Sequence, residues 1–410
     1  MDARPDLLDA RSPKGIEVFQ LTGEDCPSSH VYMEAQVFTP DSRRFILHRS
    51  AHAHGSSQHD PDHRYLVCET ATGELTPVTD ETGATAPSVS PDGKTLYYFV
   101  NETRVNGGKL TLKRVGLDGS DRRTILVLDS PLPDTSFRPS GIYPLSTISS
   151  DGKRLALSAF LGDGQTKDAP FGLMMFDLEQ AAVRLILHGQ TWCNVHPQYC
   201  RSTEAAASHD LLVQENHGNQ CNERGSIIKL VGPEGCDIHA VRDDGTDFRN
   251  LPWGRDGNEH PQGHQCWRGR SPRAITSTGT RKPPENQLIE SPPAPFAGHV
   301  GIRTPGGVRN DLTRTFPQPR FCHFATDIAG RRLVSDAWHE KGWHLYLADL
   351  PAKEGEPLER WWYLLDPRSS RNKDTHPHPF LSPDGSMAFF NSDESGLLQA
   401  YMIRGLDTLH

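Results

Sequence analysis

Nowhere in this chain do about 18 apolar residues run together, the length that a membrane-spanning helix needs. Nor does the opening stretch MDARPDLLDARSPKG hold the apolar segment of a secretory leader. A cytoplasmic protein with no membrane partner is the expectation. Cysteine is sparse: Cys26, Cys68, Cys193, Cys200, Cys221, Cys236, Cys266 and Cys322 form no C-x-x-C pair, so reduced structural thiols are expected in place of a disulfide framework. Positive charge is also in deficit. With 43 Lys and Arg against 52 Asp and Glu, the net charge is -9, and no basic stripe offers a footprint for DNA or RNA. No long 3.6-residue periodicity argues for helices, and the absence of a G-x-S-x-G elbow removes a serine hydrolase.

What is abundant is punctuation. Thirty-six glycines and 32 prolines break the chain into short alternating or β-branched runs, the pattern of strands joined by tight turns. Three stretches repeat one another: PSVSPDGKTLYYFV (87–100), STISSDGKRLALSA (146–159) and PFLSPDGSMAFFNS (379–392). QVFTPDSRRFILHR (36–49) is a fourth copy without the glycine, and three weaker copies follow. Phased on the turn, the anchors are Asp41, Asp92, Asp151, Ser202, Arg270, Ala329 and Asp384, at intervals of 51, 59, 51, 68, 59 and 55 residues. Each interval holds four strands and their loops. A radial repeat of this period is a β-propeller, so the expectation is an all-β, seven-bladed ring in one domain over residues 1–410. The last repeat is one strand short, and Ile16–Thr22 is expected to close the ring by supplying it. The Pro-rich segment 281–298 lies inside the fifth repeat and is taken as a loop.

Histidine, 20 residues of 410, is unusually grouped. Six positions before the anchors stand Ala35, Ala86, Leu145, His196, His264, His323 and His378, so four consecutive repeats carry histidine at one structural position. Neighbouring blades would bring these rings to one side of one channel mouth, joined by His376, which shares a face with His378. Neutral imidazoles from separate strands suit a divalent transition metal with positions left for substrate. A water-filled polar funnel is the alternative. A second group, His48, His52, His54, His59 and His63, falls in a Ser- and Gly-rich stretch read as a solvated loop of the first blade, and His339 and His344 are read as structural.

The motifs QLTG followed by SSHVYMEAQVFTPD, then VHPQ, ENHG, GHQCW, CHFATDIAG and THPHPFLSPDG, run in this order over most of the chain. In sequence and spacing they resemble the oligogalacturonate lyases, seven-bladed propellers acting on short pectin-derived uronates. The resemblance implies a divalent cation, manganese in that family, held by His323, His376 and His378. It assigns the catalytic base to His264 and the binding of a substrate carboxylate to Arg224. His196 and His217 would help to position the acidic oligosaccharide. The family's further glutamine ligand is replaced by Lys373, which cannot ligate a metal but can meet a substrate carboxylate. The implied reaction is β-elimination to a 4,5-unsaturated uronate. Competing readings are a lyase for another uronate linkage, such as a glucuronate-containing glycan, a glycoside hydrolase or a non-catalytic binding propeller. A hydrolase should bring two carboxylates together, and Glu215, Asp237 and Glu259 are the acids nearest the motifs.

Overall fold

A computed structural model describes residues 1–23, 25–251, 259–280, 287–291, 310–313, 321–339, 342–353, 356–358 and 360–410. Among these there is no α-helix, only three single-turn 3-10 segments. The chain is an all-β propeller. Six four-stranded antiparallel sheets follow one another in sequence, spanning residues 28–77, 84–128, 141–189, 198–250, 259–311 and 321–365, and are numbered sheets 1 to 6 here. A five-stranded sheet, the closing sheet, joins Phe380–Leu381, Ala388–Ser392 and Gln399–Arg404 to two strands from the N-terminus. First strands of four neighbouring sheet pairs touch, Ala84–Val89 with Gly141–Ile148, Gly141–Ile148 with Gln198–Tyr199, Glu259–Trp267 with Phe321–Thr326 and Phe321–Thr326 with Phe380–Leu381, as expected of strands standing around a common axis.

The repeated turn explains the repeated sequence. In four copies a Ser or Thr hydroxyl donates to the anchor Asp at 2.6 Å: Thr39 to Asp41, Ser90 to Asp92, Ser149 to Asp151 and Ser382 to Asp384. The same hydroxyl oxygen accepts the N–H that opens the next strand, at 3.0 Å from Arg44, Thr95, Arg154 and Met387. The Asp oxygen in turn accepts a backbone N–H two residues on, a local closure that competes with nothing else in a tight turn. Gly93, Gly152 and Gly385 then take left-handed φ near +70°, and Ser42 accepts the strain of φ 60° in the copy that lost its glycine.

Between the sheets lie the cores. Phe99, Leu112, Leu157 and Met174 fill the space between sheets 2 and 3, and Leu345, Leu347, Phe390 and Ile403 that between sheet 6 and the closing sheet. Leu7, Ile16 and Val18 join the latter core, so the N-terminus is held by burial as well as by hydrogen bonds. Glu17–Gln20 pairs antiparallel with Gln399–Arg404, Val18 opposite Ile403. Asp2–Ala3 adds a further strand outside it, opposite Gln20 and Phe19. That outermost strand has no counterpart in the sequence reading, because two residues are too few to show a period. The Pro-rich segment also departs from expectation: Gln287–Ser291 is the third strand of sheet 5, while the rest of 281–298 lies outside the described residues.

The feature that positions side chains at the channel mouth is a kink. Six residues before the turn, Ala86, His196 and His378 have φ of 50°, 47° and 43°. Register shifts mark the corresponding point of the first strand in sheets 2, 3, 5 and 6. A bulge of this sort swings a side chain out of the ladder and toward the space at the strand end.

Candidate functional site

His323 emerges from the bulge of Phe321–Thr326. Asp336, on the adjacent strand and fully buried, accepts both its backbone N–H (2.8 Å, Oδ1) and its ring Nδ1–H (2.9 Å, Oδ2). His378 sits at its left-handed kink just before Phe380, and its Nδ1 donates to the carbonyl of Ala53 at 2.8 Å. A carbonyl oxygen only accepts, so in neutral His378 the proton is on Nδ1 and Nε2 presents a lone pair; the same holds for His323 when the Asp336 carboxyl is ionised. Those two Nε2 atoms face each other at 3.2 Å. Two lone pairs at that separation repel unless a cation lies between them. Burial pushes the Asp336 carboxyl well above its usual range, opposed by the backbone N–H groups of His323 and His378, and a cation on His323 would favour its charged form.

Around this pair the other rings assemble. His376 lies 5.3 Å from His323 and 5.6 Å from His378 between centroids, backed by Trp343 at 5.0 Å. His264 lies 4.5 Å from His323, with its Nδ1 3.9 Å from the sulfur of Cys322. Gly263 before it needs its bare backbone: φ is 87°, and a Cβ would meet the Gln214 amide at 2.7 Å. His54, from the hairpin of sheet 1, is 4.7 Å from His378 and 5.3 Å from His376. His196 completes the arc, its Nδ1 on Glu34 at 2.8 Å and its Nε2 against the Tyr143 hydroxyl at 3.2 Å. Tyr32 stands between His196 (5.5 Å) and His378 (4.8 Å).

Electrostatics keep His54, His264, His323, His376 and His378 neutral. Burial, reinforced by neighbouring histidines, lowers His264 and His54 to about 3, and burial with the Lys373 ammonium lowers His376 to about 4. His323 is also driven down, first by burial and then by His378 and His264, and His378 first by burial and then by His54 and His376. Neutral imidazoles have lone pairs to give at any pH near 7. Two donor groups follow, His54 with His376 and His378, and His264 with Cys322 and His323; within each the ligand atoms lie within 4.8 Å of one another. The expected trio of His323, His376 and His378 is in ring contact but does not form one of these groups: His376 and His378 fall in the first and His323 in the second.

Three of the residues named from sequence stand apart from this cluster. Arg224 is exposed on the turn between Gln220–Cys221 and Ile227–Lys229, where its backbone N–H caps on Asn222, and it joins none of these ring contacts. His217 belongs to a different polar network, with Nε2 2.6 Å from Asp237, and Glu215 binds His239 at 3.1 Å. Lys373 is exposed at the start of a 3-10 turn and acts on His376 through its charge.

The loop reading of residues 48–63 needs correction. His48 is buried and bonded to Ser29 at 2.7 Å, and His63 is buried between the carbonyls of Arg49 and Ala84. Both hold the sheet 1 excursion in place, which frees His54 to reach the cluster. His59 is exposed, as expected of a solvated residue, and His339 and His344 stack on each other at 4.1 Å. Glu34, Asp336, Tyr32, Tyr143 and Cys322 are not singled out as site residues by the sequence; the H-x-H spacing of His52 and His54, which matches that of His376 and His378, is the one signal that could have pointed to the hairpin. The side chain of Glu259 lies outside the described residues.

No protein-family model and no curated protein sequence matches the chain. Solved structures do. An oligogalacturonate lyase in complex with manganese superposes with a TM-score of 0.72 at 18% identity, covering 98% of this chain and 95% of that one. The oligogalacturonate lyase of Vibrio parahaemolyticus gives 0.70 at 17%, over 97% and 95%. This chain has the oligogalacturonate lyase fold. A xyloglucanase from Xanthomonas campestris follows at 0.51 and 14% identity, over 95% of this chain and 52% of that one. Within the oligogalacturonate lyase fold of this chain, the donor chemistry fits a divalent metal. Nδ1 of His54 and of His376 are buried with no hydrogen-bond partner, and two further lone pairs are turned on each other by Asp336 and Ala53.

Proposed function

We propose that this protein is a metal-assisted lyase that cleaves short uronate oligosaccharides by β-elimination, with oligogalacturonate as the first substrate to test. We propose further that the closing sheet counts as a seventh blade of one propeller domain over residues 1–410. The observation that carries the functional reading is the pair of Nε2 lone pairs of His323 and His378, 3.2 Å apart, with three more neutral histidines around them. Such a group is built to hold a cation, and the likeness to oligogalacturonate lyases supplies the reaction class.

The cation, manganese by analogy with the complexed lyase, would be held by His323, His376 and His378, and it supplies positive charge to a substrate carboxylate as negative charge builds there. The residues do the rest. His264, neutral because burial disfavours its charged form, accepts the proton from C5 of the uronate. The C5–H electron pair becomes the C4–C5 double bond, and the C4–O bond breaks with its pair passing to the glycosidic oxygen, which then takes up a proton. No water is consumed. Lys373, exposed beside His376, and Arg224, exposed on the sheet 4 turn, are the cations for carboxylates of neighbouring sugar units. His196, fixed between Glu34 and Tyr143, would position the sugar acid, and His217, fixed by Asp237 outside the ring cluster, would meet a more distant unit.

A hydrolytic reading is disfavoured by how the carboxylates are used. Glu34 and Asp336 are each buried behind a histidine and bonded to it, so neither can flank a glycosidic bond. Incubation with a panel of uronate oligosaccharides decides the matter: ultraviolet absorbance from the conjugated product should rise, stop with a chelator and return with manganese. New reducing ends without that absorbance would make the protein a hydrolase, and no turnover on any member of the panel would make it a binding propeller.

A further inference from the structure

The hairpin formed by Ala51–His52 and Gly55–Ser56 leaves sheet 1 and lies against the histidines of the closing sheet. Its tip is fixed at one residue from both directions. The N–H of Ala53 donates to the carbonyl of Asp374 at 2.8 Å, and the carbonyl of Ala53 accepts from His378 Nδ1 at 2.8 Å. Pinning Ala53 leaves the next side chain little freedom, and the His54 ring stands at 89° to that of His378, 4.7 Å away. Nδ1 of His54 is shielded from solvent and has no hydrogen-bond partner, and the same holds for Nδ1 of His376. Burying one polar nitrogen unpaired is costly, and burying two side by side calls for something that both can bind. Each of His54, His376 and His378 offers a ligand atom within 4.8 Å of the other two.

We propose that His54 is a direct ligand of the cation bound by His376 and His378, so that the metal site is shared between sheet 1 and the closing sheet. This rests on the metal-site reading given above. Its consequence is mechanical as well as chemical. Sheet 1 and the closing sheet meet where the ring is sealed, Ser28–His30 touching both Ala388–Ser392 and Gln399–Arg404, and the cation would staple that seam.

The test is calorimetric titration of the full chain with manganese chloride, combined with pulsed electron paramagnetic resonance to count imidazole nitrogens on the bound ion. His54→Ala should weaken binding about tenfold or more and remove one coordinated imidazole, while His54→Gln, whose amide oxygen can still ligate, should recover part of the affinity. His59→Ala, in the same excursion but exposed, should bind as the unaltered protein does. Manganese should also raise the melting temperature of the unaltered protein more than that of His54→Ala, because a ligand that binds only the closed ring stabilises it. Unchanged affinity and an unchanged nitrogen count in His54→Ala would overturn the inference and leave the metal reading standing. Failure of the unaltered protein to bind manganese would overturn both.

Discussion

Replacing His378 by alanine is expected to abolish cation binding and to lower turnover about 10³-fold, since a Lewis-acid cation contributes several kcal/mol and each ~1.4 kcal/mol is a factor of ten. The fold should survive the change. Alanine already occupies the equivalent kink in sheet 2, where Ala86 has φ 50° against 43° at His378. The ring itself is not needed to hold the hairpin, because Ala53 keeps its second bond to Asp374. Thermal melting within a few degrees of the unaltered protein, together with loss of the manganese heat signal, would separate the loss of a ligand from the loss of a fold. A variant that turned over at the original rate would remove His378 from the machinery.

His264→Ala should behave differently. A positioned general base contributes about 10²- to 10⁴-fold, so kcat should fall by that amount while manganese affinity stays near its original value. The distinction follows from geometry: His264 meets His323 through its ring at 4.5 Å, whereas the lone pair of His323 that would hold the cation is directed at His378. KM should change little, because the ring acts on a proton whose transfer belongs to the transition state. Full activity in this variant would show that another group takes the proton, and loss of metal together with activity would place His264 among the ligands.

How far the sequence could be read depends on the range of the interaction concerned. The propeller was legible because its turns are local: Ser90, Asp92 and Thr95 close one turn with bonds spanning five residues, and the same spacing returns at Ser149 and Ser382. Counting back from that turn reached His196, His264, His323 and His378 for a reason the pattern alone did not reveal. The position is the bulge of the inner strand, where the backbone itself turns a side chain toward the channel.

What stayed hidden was everything brought from elsewhere in the chain. Glu34 meets His196 across 162 residues and Ala53 meets His378 across 325, distances over which no periodicity speaks. Asp336 is only 13 residues from His323, but in sequence it is one acid in the middle of a strand, between Ser335 and Ala337, until the register with Phe321–Thr326 places it against the ring. His54 was obscured by composition. Its Ser- and Gly-rich surroundings indicate a solvated loop, whereas in the structure His48 and His63 anchor that excursion and direct it inward. Arg224, a motif neighbour in sequence, lies on an exposed turn outside the histidine ring contacts.

A cation between His323 and His378 is checked most directly by anomalous X-ray scattering from crystals grown with manganese. A peak is expected within bonding distance of Nε2 of both residues, with Asp336 and Ala53 still holding their Nδ1 atoms. A map with no peak there, and the two Nε2 atoms still facing each other across a shared proton, would contradict it.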